Sequence, residues 1–374
     1  MSVDRRAFLQ TSLAAALAPA ALLAQEPQRH LLQMNGYPVD AETPLELLTD
    51  YITPIDLFFV RSHWLPQMPN LKTWRLKVDG EVDHPLALSL ADLKKMPRAE
   101  KTCVLMCAGN GRAFHKPVVP GVQWRYGAIG NAKWTGVKVR DVLERAGLRG
   151  SAKHLHLFGS DAPPGKVPPF HRSVEIEKAM DDAILAWEMN GVALPPQHGA
   201  PLRLVVPGWA GDHWMKWVVR VSPQAEAQKG FYMETAYRYP LHPGEPGVAF
   251  KPEEMAPVTS LFVKSNITTA PTRARRGTTY KIRGFAFSGA PDIERVEISD
   301  DDGATWNLAQ PLDHKHDSFA WRLWSYKWTP KAKGKVRIMA RATDSDGNVQ
   351  PREAQWNQSG YLYNGWHTVE VEVV

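Results

Sequence analysis

The chain has 374 residues, of which 44% are hydrophobic and 22% charged, with a formal net charge of +6 at pH 7. Such a composition excludes an intrinsically disordered chain, and the length allows two domains of ordinary size. The small positive excess suits an anionic substrate or an acidic partner; nucleic acid is not indicated, because the basic residues are scattered and Arg273, Arg275 and Arg276 form only a short cluster, expected at a solvated edge.

In chain order, Asp4-Arg5-Arg6-Ala7-Phe8-Leu9 leads into an uncharged, alanine-rich stretch from Ser12 to Ala24. A twin-arginine export signal over residues 1–25 is expected, cut near Ala20 or Ala24, followed by a periplasmic protein. That route carries folded proteins, so a cofactor inserted before export is implied. No later stretch approaches the roughly 18 apolar residues of a spanning helix, so no membrane span is expected.

The apolar run Leu57-Phe58-Phe59-Val60 predicts a short strand ending at Arg61 and His63. Residues 90–95 and 139–146 predict short helices, the first capped by Ser89 with Asp92 three residues on and the second ended by Gly147. Thr102-Cys103-Val104-Leu105 predicts a buried strand, which gives way at Cys107 to the small-residue loop Ala108-Gly109-Asn110-Gly111-Arg112, where backbone can approach a ligand closely. The chain mixes short strands and helices as far as a break near Pro243. Beyond Pro257, residues 279–287, 293–299, 335–344 and 367–374 predict strands separated by turns such as Asp301-Asp302-Gly303 and Asp346-Gly347-Asn348, the pattern of an immunoglobulin-like sandwich. The expected division is a catalytic domain over 26–245 and an all-β domain over 246–374.

Only two cysteines occur, Cys103 and Cys107. Four residues apart in an extended run, they stand too far apart for a disulfide without a sharp turn. A thiol kept reduced after export is normally buried and inert or bound to metal. Burial suits Cys103 in its strand; metal binding suits Cys107 at the loop. Zinc would want three or four ligands at recognisable spacing, no c-type haem attachment motif is present, and Gly109-Asn110-Gly111 lacks the rest of a dinucleotide fingerprint. A single soft thiolate suits a metal whose other ligands arrive with an organic cofactor.

Several motifs then occur in one order: Phe58-Phe59-Val60-Arg61-Ser62-His63, Cys107-Ala108-Gly109-Asn110-Gly111-Arg112, Ala132-Lys133-Trp134-Thr135-Gly136-Val137, Trp187-Glu188-Met189-Asn190-Gly191, His198-Gly199-Ala200-Pro201-Leu202-Arg203, Val206-Pro207-Gly208-Trp209 and Met215-Lys216-Trp217. Near the C-terminus Trp356-Asn357-Gln358-Ser359-Gly360-Tyr361 and Asn364-Gly365-Trp366-His367 continue the series. Over almost all of its length beyond the signal, the chain resembles the sulfite oxidase family. The resemblance implies an α+β molybdopterin-binding domain followed by an immunoglobulin-like dimerisation-type domain. It implies one molybdenum–molybdopterin centre with Cys107 as its cysteine ligand, and oxidation of sulfite, a small anionic sulfur substrate, to sulfate. Electrons would leave to a c-type cytochrome, and the second domain would allow a homodimer.

By the same resemblance Arg61 faces the substrate anion, a task suited to a guanidinium fork, and Arg322 is its counterpart from the second domain. Phe59, Arg61, His63, Asp161, His198, Arg203 and Lys216 match positions around the pterin and its phosphate; a structural histidine and a turn-capping aspartate are the plain alternatives for the two histidines and Asp161. Two departures stand out. Phe170 falls where sulfite-oxidising members are expected to place a tyrosine beside the metal, leaving His171 or Arg172 to supply a polar contact, and Pro120 stands where animal members carry a lysine. The first keeps open a relative acting on sulfur attached to a carrier protein. Reduction of methionine sulfoxide belongs to relatives without the C-terminal sandwich, and a non-catalytic binding protein fits Cys107, Arg61 and Lys216 poorly.

Overall fold

The computed structural model describes residues 30–374 apart from 66–67, 162 and 313–316. The proposed export signal lies outside the described residues. Among the described residues no helix is long and apolar enough to cross a membrane.

Two five-stranded sheets form the first part of the molecule. One runs Val192–Ala193, Ile184–Met189, Ile129–Lys138, Arg98–Met106, with Arg203–Val205 also paired to Ile184–Met189; the other runs Leu86–Leu88, Leu76–Val78, Val218–Gln224, His154–Gly159, His171–Glu175. Their apolar faces share a core that includes Leu76, Trp124, Trp134, Val142, Leu155 and Leu185. Where Ile129–Lys138 shifts register against Ile184–Met189, a glycine is required: a Cβ on Gly136 would sit 2.0 Å from the Leu185 carbonyl oxygen.

The two predicted helices form as Leu90–Lys94 and Val139–Arg145. Ser89 and Asp92 make a reciprocal capping box, and Gly147 adopts φ +69° just past the second helix. Cys103 is fully buried in the strand Arg98–Met106 and, like Cys107, is a free thiol. The expected strand over 57–60 does not form a ladder. Pro54 starts a 3₁₀ turn, Ile55–Leu57, and Val60 makes a single bridge to Ala41. Phe58 and Phe59 are both buried, which alternation in a one-faced strand would forbid.

The C-terminal part is a sandwich of a four-stranded sheet, Lys264–Thr269, Tyr280–Phe287, Arg322–Trp328, Gln310–Pro311, and a five-stranded sheet, Arg273–Ala274, His367–Val373, Gly334–Asp344, Ile293–Ser299, Asn307–Leu308. Ile282, Val296, Trp324, Trp328, Ile338 and Val371 fill the space between them. The four predicted strands are present to within a residue at each end, and Arg275 and Arg276 are exposed beside the edge strand Arg273–Ala274. Sequence reading did not anticipate Lys264–Thr269 or Arg322–Trp328. A third apolar cluster, including Leu48, Val104, Met106, Tyr237, Phe285, Trp321 and Tyr361, joins the two parts. Hydrogen bonds stitch the same seam, among them Leu362 N–H to the Ala108 carbonyl at 2.8 Å and Val104 N–H to the Phe319 carbonyl at 2.9 Å. The C-terminal part therefore supports the loop that carries Cys107.

Candidate active site

Cys107 follows the last residue of the strand Arg98–Met106. Its N–H donates to the Ala128 carbonyl at 2.9 Å and its carbonyl accepts from Asn110 N–H at 2.9 Å, so the turn is fixed at both ends. Gly111, at φ +93°, lets the loop close on Tyr363, whose Cβ lies 2.6 Å from where a Gly111 Cβ would be. Burial raises the pKa of the Cys107 thiol, while Arg61 and Arg112 oppose that shift. Among the described residues no three His, Cys, Asp or Glu side chains converge as a metal-binding group.

Two chambers meet at Arg61, His63, Cys107 and Tyr237, which line both. The first, of about 720 Å³ with its open mouth, is also lined by Phe59, Asp161, Phe170, His198, Arg203 and Lys216. All seven side chains expected around the cofactor are therefore gathered here with Cys107.

Two buried polar atoms of residues lining this chamber have no partner, His198 Nε2 and Arg203 Nε. Arg203 donates to the carbonyl of His198 at 2.9 Å and lies 4.8 Å from the Trp134 ring, which fixes its orientation. Lys216 Nζ donates to the Arg61 carbonyl at 2.8 Å, Ser62 Oγ at 2.6 Å and the Gln197 carbonyl at 3.0 Å. Burial depresses the His198 pKa to about 3 and that of Arg203 to about 9, and burial followed by Arg203 and Arg61 takes Lys216 well below the ordinary lysine range. Burial raises Asp161 to about 6. Gly199 faces Arg203 and Lys216, whose side-chain carbons would lie 3.1 Å from an added Cβ. Clustered, desolvated cations, of which Arg61 is paired with Asp40 at 3.3 Å and Arg203 Nε has no partner, fit a phosphate-bearing organic group. The residues present thus fit molybdopterin.

His63 links the two chambers. Phe170 stacks on its ring with centroids 4.7 Å apart. Its Nδ1 lies 3.1 Å from an Arg61 nitrogen, which can only donate, so Nδ1 accepts. Burial, then Arg61, Lys216 and Arg172, hold His63 well below the usual histidine range and so neutral. Its proton is then on Nε2, which donates to Tyr237 Oη at 2.7 Å. The phenolic hydrogen of Tyr237 is left to point into the site.

Tyr237 corrects the expectation drawn from Phe170. A tyrosine hydroxyl does stand beside Cys107, but it comes from a later segment. His171 lines neither chamber; it is half-buried with its ring 4.7 Å from Phe158. Strand alternation turns its neighbour Arg172 inward instead, into full burial.

Arg322 also lines neither chamber. It opens the strand Arg322–Trp328, and its fork meets Asp292 with Nε–Oδ1 at 2.9 Å and Nη2–Oδ2 at 3.2 Å, so a neighbouring carboxylate holds it in the sandwich. The second guanidinium at the junction is Arg112, lining the outer chamber. It donates from Nε to the Ser359 carbonyl at 2.9 Å and from Nη1 to the Val122 carbonyl at 2.9 Å, and packs 5.3 Å from the Tyr361 ring. The outer chamber, about 900 Å³ with its open mouth, is otherwise walled largely by Pro120, Val122, Trp124, Phe231, Tyr232 and Tyr361. The Cys107 loop motif was a signal for Arg112; nothing local singled out Tyr237 among Tyr232, Tyr237 and Tyr239.

Residues 63–232 match the family described as oxidoreductase molybdopterin binding domain, and residues 254–374 match Mo-co oxidoreductase dimerisation domain. The chain is 38% identical to the mitochondrial sulfite oxidase of Rattus norvegicus, over 93% of this chain and 67% of that one. It belongs to the sulfite oxidase family. Identity is 36% to the sulfite oxidase of Gallus gallus, over 94% of this chain and 81% of that one, and 33% to that of Arabidopsis thaliana, over 92% and 95%. The crystal structure of the sulfane dehydrogenase SoxCD from Paracoccus pantotrophus aligns with a TM-score of 0.79 at 28% identity, covering 96% of this chain and 94% of that one. This member of the sulfite oxidase family is a molybdenum oxidoreductase with a molybdopterin cofactor, acting in sulfur oxidation.

Proposed function

We propose that the protein oxidises sulfite to sulfate at the junction of the two chambers and passes the electrons singly to a c-type cytochrome. The observation that carries this reading is the convergence of Arg61, Arg112 and the Tyr237 hydroxyl around Cys107. Two guanidinium groups and a phenol form a site for a small oxyanion next to a thiolate fit to hold molybdenum. When bound, the molybdenum–molybdopterin group supplies oxygen-atom transfer to sulfur and takes up two electrons. Cys107 is its protein ligand, and Phe59, His63, Asp161, His198, Arg203 and Lys216 surround the pterin and its phosphate. Arg61 and Arg112 hold the oxyanion, and Tyr237, kept in place by the His63 Nε2–H, donates its O–H to a substrate oxygen. The chain is exported by the twin-arginine route to the periplasm and pairs as a homodimer through its C-terminal domain.

Sulfur attached to a carrier protein is the second reading. It is favoured by the aromatic and apolar walls of the outer chamber, which suit an organic arm better than a bare anion, and by the likeness to a sulfane dehydrogenase. Sulfite-dependent reduction of cytochrome c by fully metallated protein tests the first reading. Reduction with sulfite is the expected result; its absence, with turnover on a protein-bound persulfide, would transfer the assignment to the second.

A further inference from the structure

Behind Tyr237 lies a buried charged group that the reaction as described does not use. Arg172, turned inward from the strand His171–Glu175, and Asp212, in the 3₁₀ turn Gly211–His213, form an ion pair with Nη2–Oδ2 at 2.6 Å, and both side chains are 0% exposed. The other arm of the Arg172 fork donates to the carbonyl of Tyr232 in the short helix Phe231–Glu234. His213 packs against the same guanidinium, its Nε2 lying 2.7 Å from Arg172 Nη2 and 2.7 Å from the Val258 carbonyl oxygen. Arg172 thus ties together three separate pieces of chain that meet around one ring, the phenol of Tyr237, at 5.5 Å from its centroid.

Stability alone is a poor reason to bury this pair. Desolvating two charges costs several kcal/mol per ion, and apolar residues of equal volume often do as well or better. The arrangement also remains incompletely satisfied: Arg172 Nε and Asp212 Oδ1 have no partner. Tyr237, meanwhile, needs holding. Its backbone is at φ +57°, a strained region for a residue with a Cβ. Tyr361 stacks on its ring at 5.3 Å, and its carbonyl accepts from Val258 N–H at 2.8 Å, in the residue whose own carbonyl lies against His213 Nε2. Ring, backbone and ion pair are therefore fastened at one place.

We propose that Arg172, held by Asp212, is a positioning residue for Tyr237: it registers the phenol against His63 so that the free O–H meets an oxygen of the bound sulfur oxyanion. This rests on the reading that Tyr237 donates to the substrate anion. Arg172 lines neither chamber, so it touches neither substrate nor cofactor, while its partner Asp212 borders the first chamber.

Inorganic sulfate, the product anion, is the probe, with its dissociation constant measured calorimetrically on holoprotein alongside kcat/KM for sulfite. Arg172→Met with Asp212→Leu removes both charges and leaves no orphan ion, so its thermal midpoint should stay near the parent's. Sulfate affinity and kcat/KM should each fall about tenfold, as for loss of one hydrogen bond to a charged group. Tyr237→Phe should lose a similar amount, and adding the double change to Tyr237→Phe should cost nothing further, because the two act through one group. A folded double variant with parental sulfate affinity overturns the proposal, as does an equal additional loss in the Tyr237→Phe background. If Tyr237→Phe itself binds sulfate like the parent, the underlying reading of the site fails instead. Should the double variant not fold, Arg172→Lys keeps the charge but drops one arm of the fork. It should weaken sulfate severalfold, and only when Tyr237 is present; parental affinity in Arg172→Lys would overturn the proposal equally.

Discussion

Nε2 of His63 lies 2.7 Å from Oη of Tyr237, although the two residues are 174 positions apart in the chain. With Arg61 donating to the other ring nitrogen, this contact leaves the tyrosine hydroxyl as a free donor at the place where both chambers open onto Cys107.

Tyr237→Phe removes that donor and, with it, the acceptor of the buried His63 Nε2–H. Sulfite kcat/KM should fall roughly 10- to 100-fold, about 1.5–3 kcal/mol for a hydrogen bond to a charged group, with a lowered thermal midpoint because the His63 Nε2–H loses its acceptor. Steady-state kinetics on metallated protein is the check, and a loss under about threefold would remove Tyr237 from substrate contact.

Phe170→Tyr tests the reassignment from the other side. Phe170 stacks on His63, and the phenol needed at the site is already present in Tyr237. Adding a hydroxyl at position 170 should therefore change kcat/KM by less than about threefold, within the ordinary scatter of a tolerated substitution. A gain of tenfold or more would mean that Tyr237 does not do this work.

Arg112, which borders the outer chamber, and Arg322, expected from the sequence to face the anion, can be separated. Arg112→Met should raise the sulfite KM about 10- to 100-fold through loss of a charge-assisted contact. Arg322→Met should leave KM within about threefold, since Arg322 lines neither chamber. Equal KM effects in the two variants would place Arg322 back in the substrate site.

Cys107→Ser should abolish turnover while pterin remains bound. The groups fitted to the pterin and its phosphate are His198, Arg203 and Lys216, and none depends on the thiolate. Pterin fluorescence after oxidative release, measured with molybdenum content, separates loss of the ligand from loss of the cofactor. Full activity in this variant would refute the ligand assignment.

Acid should destabilise the fold through buried histidines. Burial, then Lys264, holds His367 at about 3, and burial, then Arg112 and Lys264, holds His115 at about 4. Both folded-state values lie below that of an unfolded histidine, so their contribution is complete above about pH 6.5 and is lost as pH falls towards the folded values, by at most about 1.4 kcal/mol per pH unit for each. The thermal midpoint should drop between about pH 6.5 and 4.5. His367→Asn, which can still accept the Ile267 N–H held by His367 Nδ1 at 3.1 Å, should make that drop shallower. An identical slope in the variant would show that His367 is not among the groups responsible.

Much of this protein was legible before its tertiary structure was considered. Local rules located the Ser89 cap, the Gly147 stop and the four C-terminal strands, because capping, turn residues and alternation act over a few positions. Ordered motifs around Arg61, Cys107, His198 and Lys216 named the family and its cofactor. The seven side chains read as surrounding that cofactor all line one chamber, because the motifs sit at strand ends and on the loops that follow.

Tertiary structure decided the rest. Tyr237 enters the site from a segment with no local signature, brought there by packing against Tyr361 across the seam between the two parts of the molecule. A one-residue alternation sends Arg172 rather than His171 into the interior, and Arg322, paired with Asp292, lines neither chamber. Residue type and motif order determined which chemistry the chain supports. Which tyrosine and which arginines line the chambers depended on contacts between distant segments, and these are settled by the competition of burial, charge pairing and register in the folded state.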